Sequence, residues 1–316
     1  MAAEWRERMC EITLLAADCS DTKLLVWSNS MGTSASSQMD ETRGFVFVCW
    51  GKEYVQEACA SARRIKGVSQ YPCTLITVPD ETVPSGIFEQ IISLPLQGSY
   101  RDKILMRHSP YTKTVFLDSD TYVLKDFAEL FDALERFDVL YQTTAGGYHY
   151  KVDSVPMSVV TEPSAGLVVW RRNAKTERFF ELWDKHYLSQ QDENGADGAW
   201  DQRSMRAALY ESDAHVFPLP KEWQVYGWET SVLLGDAKMV HGRDRHAKFA
   251  IENINSSNDL RLYFADVGFI LPLNKTEVFD YLRLIGALAR RATRRTVRLM
   301  LHRTGMWRLP TNQRRM

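Results

Sequence analysis

Two carboxylates separated by one residue close an apolar run in KTVFLDSDTYVL, residues 113–124. In a regular strand, residues i and i+2 face the same side, so Asp118 and Asp120 are expected to project together where the strand leaves the core. Like charges held that close repel unless something positive lies between them, and a divalent cation is the natural partner. Mg²⁺ and Mn²⁺ prefer carboxylate oxygens and also bind phosphates. A cation held there could seat a diphosphate and stabilise the charge that grows on it as a leaving group. A D-x-D at a strand end is also compatible with a solvated turn, and only the flanking sequence separates the two readings.

The flanking sequence reads as strands alternating with helices. GFVFVCWG (44–51) and PCTLITVPD (72–80) are short, nearly continuous apolar runs bounded by Gly or Pro, the mark of buried strands. Between them KEYVQEACASARRIKG spaces Tyr54, Ala58 and Ala62 as a helix and stops at Gly67. GIFEQIISLPL is a mixed element. RDKILMRHSPY predicts a helix ended by Ser109-Pro110, KTVFL a third strand, DFAELFDALERF a helix and VLYQTT a strand. The second half predicts a strand at GLVVW (166–170), a helix at AKTERFFELWDKHYL, an acidic glycine-bearing loop QDENGADGAWDQ and a helix at RSMRAALY. A strand AHVFPLP, an aromatic segment EWQVYGWE and a strand AKMVHG follow. This order implies an α/β fold with a mixed, mostly parallel sheet covered by helices on both faces, whose ligands lie beyond the carboxyl ends of the strands.

SPYTKTVFLDSDTYVLKDFAELFDAL resembles the central motif of the GT-A, Rossmann-like glycosyltransferases, especially the glycogenin-like and bacterial galactosyltransferase-like families. FVFVCWGKEYVQEACASARRI, EPSAGLVVWRRNAKTERFFELW, DGAWDQRSMRAAL and FPLPKEW resemble further family segments in the same order, so the likeness covers roughly residues 44–250. It implies a nucleotide-sugar donor, UDP-linked in the first instance, a Mn²⁺ or Mg²⁺ cofactor, and transfer to a glycan, lipid-linked or protein acceptor with retention of configuration.

The same likeness implies a site. Asp118 and Asp120 would hold the metal together with a late histidine, His241 in KMVHGRDRHAKF, with His246 its rival in the same loop. Donor contacts would come from Trp50 and Tyr54 after the first strand, Arg101 and Lys103 before the D-x-D, and Asp118 and Ser119 within it. Ser164 and Gly166 at the GLVVW strand, and Gly242, Arg243 and Lys248 after the histidine, with Arg245 beside them, complete that set. Asp201 and Gln202 match the family's Asp-Gln pair near the sugar's anomeric carbon, although an Asp at a helix start is also an ordinary N-cap. Ser164 stands where the family usually has Asn, and the loop after His241 departs from the usual His-x-x-Gly-x-x-Lys-Pro-Trp. Trp223, Tyr226 and Trp228 could stack on an acceptor sugar or simply pack in the core.

Composition bounds the alternatives. The chain has 316 residues, 45% hydrophobic and 25% charged, ordinary for a globular protein large enough to bury a substantial core. No apolar stretch approaches membrane-spanning length, and MAAEWRERMCEITLLAADCSD does not read as a signal peptide. The five cysteines (Cys10, Cys19, Cys49, Cys59, Cys73) form no CxxC and lie far from the histidines, which suits reduced thiols in a cytoplasmic protein better than disulfides or zinc.

Net charge is −1, but ten arginines and no acid fall between Arg283 and Met316. The tail therefore predicts a basic amphipathic helix, suited either to an anionic membrane surface through 279–303 or to the acidic body of the chain itself, with nucleic acid a distant third. The organisation expected is a polar lead-in over 1–43, a transferase domain over 44–275 and a basic helix and tail over 276–316. Two competing functions use the same residues. Haloacid-dehalogenase phosphatases also carry D-x-D, but there the threonine comes one place later than Thr121 and the motif opens the domain, whereas two strands precede it here. An inactive nucleotide-sugar-binding fold is the other.

Overall fold

A computed structural model describes residues 41–144, 155–156, 160–194, 199–243, 245–274 and 277–303. Cys10 and Cys19, most of the expected lead-in, part of the acidic loop and the chain after Arg303 lie outside the described residues, as does the side chain of His246.

Strand β1 (Arg43–Val48) is buried from Gly44 to Phe47, as its unbroken apolar run requires, and leads into helix α1 (Lys52–Val68). Then come β2 (Cys73–Thr77), β3 (Gln90–Ser93) and a 3₁₀ segment, Tyr100–His108. That segment ends at Ser109-Pro110 as expected but is wound more tightly than the α-helix the sequence predicts. Asp102 explains its start: its carboxylate accepts from the backbone amides of Gln97, Gly98 and Ser99, 2.7–3.2 Å away. The middle of the chain supplies β4 (Lys113–Leu117), β5 (Thr121–Val123), α2 (Ala128–Ala133), β6 (Val139–Thr143) and β7 (Pro163–Arg171). Helices α3 (Ala174–Asn194) and α4 (Asp201–Glu211) precede β8 (Val216–Leu219), β9 (Val225–Tyr226), β10 (Ser231–Leu233) and β11 (Met239–His241). Helix α5 (Arg245–Asn253), β12 (Arg261–Phe264), β13 (Phe269–Pro272) and helix α6 (Val278–Arg303) finish it.

Seven strands form the main sheet in the order β3-β2-β1-β4-β7-β6-β8. It is mixed and mostly parallel: β7 pairs antiparallel with both β4 and β6, and the other pairings are parallel. Residues alternate between two apolar layers, as strand geometry dictates. Phe45, Phe47, Val115 and Leu117 pack against Val55, Ala58 and Ala62 of α1 and Leu130 and Phe131 of α2. Phe116, Val168 and Trp170 pack on the other face against Phe179 and Trp183 of α3 and Met205 of α4.

The reversed strand β7 was not expected and matters most for the site. Because it runs backward, its first residues lie beside the carboxyl end of β4, and Asp118 N–H donates to the Gly166 carbonyl at 3.1 Å.

A second sheet of three short strands, β5-β11-β9, completes that edge. β11 pairs antiparallel with β5, placing His241 opposite Thr121, and parallel with β9. β10, β12 and β13 form a third, antiparallel sheet. Against it, by way of β13 and the turn at Ala265–Val267, rests α6. The half-buried face of α6 carries Asp280, Leu284 and Ala287, and Arg291 pairs with Asp266. Its apolar stripe is turned away: Tyr281, Leu282, Ile285 and Leu288 are all exposed.

Candidate functional site

The two carboxylates do not sit within a strand. β4 ends at Leu117, Asp118 and Ser119-Asp120 turn, and β5 begins at Thr121. The turn is folded by Thr121, whose hydroxyl donates to the Asp118 carbonyl at 2.8 Å. That hydroxyl has one proton, so the contact between Ser61 on α1 and Thr121, 3.1 Å, is donated by Ser61. The carboxylates converge because a hydroxyl cinches the turn and not through strand alternation.

His241 reaches them through β11: Gly242 N–H donates to the Asp120 carbonyl at 3.0 Å, extending the β5 pairing by one residue. Its Nε2 lies 3.1 Å from Asp120 Oδ1 and 3.7 Å from Asp118 Oδ2, and one donor atom from each of the three residues lies within 4.8 Å of the others. Gly166 backs the imidazole so closely that a Cβ there would stand 2.6 Å from His241 Cε1. Gly242, at φ 138°, is crossed by Trp228, which a Cβ would meet at 2.8 Å. Glycine is required at both places, by contact at the first and by contact and backbone angle at the second.

Two permanent cations face the carboxylates. Lys103 Nζ bridges Asp118 Oδ2 at 2.8 Å and Asp201 Oδ2 at 3.0 Å. Arg243 grips Glu57 with Nε and Nη2 at 2.6 and 2.9 Å, and its Nη1 reaches Asp120 Oδ2 at 3.2 Å while the guanidinium lies over the Tyr54 ring. The four carboxylates thus face these two permanent cations and His241. Burial pushes Asp118 above the usual carboxylate range, with Lys103 and His241 only partly offsetting it. Burial acts on Asp120 the same way, but His241, Arg243 and Lys103 outweigh it and hold Asp120 below that range. Burial works against the Lys103 ammonium, yet Asp118 and Asp201 keep it firmly charged.

These residues stand beside a cavity of about 640 Å³. Asp118, Ser119, Asp120, His241, Arg243 and Lys103 line it together with Trp50, Gly51, Tyr54, Gly98, Tyr100 and Trp228. Trp50 and Trp228 are both substantially exposed.

Not every residue expected in the site is in it. Arg101 is held by Asp184 through two bonds of 2.7 and 3.0 Å, and both line a separate cavity of about 140 Å³. Lys248 is exposed on α5 and does not line the main cavity, because the helix turns it outward. Ser164 is wholly buried and accepts from Tyr226 Oη at 2.5 Å. Asp201 is not an N-cap, a position Trp200 occupies; it is buried against Lys103, and the half-buried Gln202 behind it does not line the cavity. Of the three aromatics in EWQVYGWE, Trp223 packs edge-on against Phe127, Tyr226 is buried beside His241, and only Trp228 reaches the cavity.

Two participants gave no signal in the sequence: Glu57, one glutamate among several on α1, and Gln224, whose Nε2 is 2.7 Å from His241 Nδ1.

No protein-family model matches the chain, and no curated protein matches it. Among solved structures it is similar to the apo bifunctional glycosyltransferase WbbM, at 16% identity over 66% of this chain and 47% of that one, with a TM-score of 0.48. It is similar to galactosyltransferase LgtC in complex with donor and acceptor sugar analogues, at 11% identity over 67% of this chain and 94% of that one, TM-score 0.48. It is also similar to apo glycosyltransferase GlyE of Streptococcus pneumoniae TIGR4, at 14% identity over 65% and 55%, TM-score 0.45. The match spans about half the length of the WbbM chain.

Proposed function

We propose that this protein is a metal-dependent glycosyltransferase that moves a sugar from a nucleotide-diphosphate donor, in the first instance a UDP-sugar, to a glycan or lipid-linked acceptor. The observation that carries the reading is the Asp118–Asp120–His241 cluster on the cavity wall, where one donor atom from each residue lies within 4.8 Å of the others. Two carboxylates and an imidazole form a donor set suited to Mn²⁺ or Mg²⁺. A bound ion would neutralise the diphosphate and the charge that develops on it as the sugar departs.

The chain's own residues do the rest. Trp50 and Tyr54 line the cavity and would supply aromatic surface to a base. Arg243 stands beside the ion-binding carboxylates, where exchanging Glu57 for a phosphate keeps its charge paired. Asp201 acts through Lys103, since its carboxylate is buried and committed to that ammonium. The retention implied by the family likeness would follow from entry of the acceptor on the leaving group's own face.

The experiment is a thermal-shift and donor-hydrolysis screen of nucleotide sugars with Mn²⁺ and with chelator. One nucleotide family at a hundredfold excess over its Kd is expected to stabilise the protein by about 2.7 kcal/mol, roughly 5–10 °C, only when Mn²⁺ is present. The absence of any metal-dependent shift across the panel would remove the donor assignment.

Residues 44–275 are proposed to carry the transferase and 276–316 an attachment element. Among the described residues no helix is long and apolar enough to cross a membrane. The exposed apolar stripe of α6, beside an arginine-rich and acid-free sequence, supports docking on an anionic lipid surface at the membrane's inner face. The protein is expected to sediment with vesicles containing phosphatidylglycerol and not with phosphatidylcholine alone. Ile285→Glu is expected to release it, and equal recovery of that variant would argue for α6 as a purely structural helix.

A further inference from the structure

We propose that Gln224 is the positioning residue of His241, and that its terminal amide turns over to hold whichever imidazole tautomer the site needs. This rests on the reading of Asp118, Asp120 and His241 as ligands of a divalent cation.

Gln224 is wholly buried. Its Nε2 lies 2.7 Å from His241 Nδ1, while its Oε1, equally buried, has no hydrogen-bond partner among the described residues. The ring is also hemmed in: a Cβ at Gly166 would stand 2.6 Å from its Cε1, and Tyr226 and Trp228 stand 5.2 and 5.4 Å away, centroid to centroid. What remains variable is the ring proton and the amide that reads it.

With the amide N–H₂ toward the ring, Nδ1 must accept, so the proton sits on Nε2 and is donated to Asp120 Oδ1, 3.1 Å away. A ring nitrogen that ligates a cation offers its lone pair instead. For Nε2 to do so, its proton must leave and Nδ1 must carry one, which turns Nδ1 from acceptor into donor. The unpaired Oε1 is the acceptor that state needs. A half-turn about the last side-chain bond brings Oε1 onto Nδ1–H and swings Nε2 into the place Oε1 held, with almost no change of shape. Only a side chain with one donor and one acceptor of equal reach serves both states. A histidine ligand is commonly held in this way by a partner on its second nitrogen.

The test uses Mn²⁺ alone, with free ion counted by electron paramagnetic resonance, on wild type, Gln224→Leu and Gln224→Glu. Gln224→Leu is expected to weaken Mn²⁺ binding about 10–100-fold. Gln224→Glu, which presents only oxygens to Nδ1–H, is expected to bind at least as tightly as wild type. Nitrogen-15 spectra of labelled histidine should show His241 carrying its proton on Nε2 in the ion-free protein and on Nδ1 with saturating Mg²⁺. Should the leucine variant fail to fold, that change in wild type still decides the matter. An unchanged tautomer, or Gln224→Leu binding Mn²⁺ like wild type, overturns the role of Gln224 and leaves the ion site standing. A wild type that binds no Mn²⁺ overturns both.

Discussion

Asp120→Ala is expected to lower sugar transfer by a factor on the order of 10³ or more while leaving a cooperatively folding protein. Asp120 is buried, yet its partners are provided for without it: Arg243 keeps both bonds to Glu57, and His241 keeps Gln224. Removing the carboxylate therefore orphans no cation and relieves the repulsion on Asp118. The loss falls on the ion site, which drops from three donor residues to two. Mn²⁺ affinity and donor turnover measured on the same preparation should fall together, with a melting temperature within about 5 °C of wild type, the scale of a 1–2 kcal/mol change in a chain of this size. Full turnover in this variant would end the metal-dependent reading, since among the described residues the other carboxylates lining the cavity, Asp102 and Asp118, are already engaged by backbone amides and by Lys103.

Lys103→Met is expected to act mainly on stability. The ammonium stands between Asp118 and Asp201, both largely or wholly out of solvent, and methionine would leave the two carboxylates facing each other. Breaking a buried pair this way costs on the order of 3–5 kcal/mol, roughly 6–20 °C in melting temperature. The dependence on pH has a definite sign. Burial already raises Asp118, and the loss of Lys103 raises it further. A carboxyl whose folded pKa lies above its unfolded value destabilises the fold when ionised, and protonation relieves that penalty. The gap between variant and wild type should therefore narrow as pH is lowered from 7.5 to 5, and added Mn²⁺ should narrow it at either pH. Calorimetry at the two pH values decides; a variant as stable as wild type at pH 7.5 would mean that Lys103 is not the group neutralising these carboxylates.

The sheet was legible because burial on both faces leaves its mark on a strand. GFVFVCWG, PCTLITVPD and KTVFLDSD can only be central, and each is. The direction of β7 was not legible, because an apolar run reads the same whichever way it points in a sheet. That reversal puts Gly166 behind His241, so a glycine taken for a donor contact becomes one that makes room for an imidazole. Arg101 and Lys103, two residues apart on one segment, likewise carry no sign of their different partners; Asp184, 83 residues away, settles the first and Asp118 and Asp201 the second. Residue type and spacing pointed to the paired carboxylates, and the family likeness pointed to the histidine. They could not find Glu57 or Gln224, which are ordinary polar residues until the fold sets an arginine against one and an imidazole against the other.

The short sheet β5-β11-β9 also imposes an order of events on the newborn chain. Asp120 and His241 stand 121 residues apart in sequence, and the bond between them exists only once β11 has come back to lie along β5. During synthesis both aspartates leave the ribosome long before the histidine does. Until it follows, the nascent chain holds two neighbouring carboxylates at the end of β4 with neither His241 nor Arg243 to face them. The complete cluster thus arrives as a single late step of synthesis, and no fragment ending short of His241 contains it.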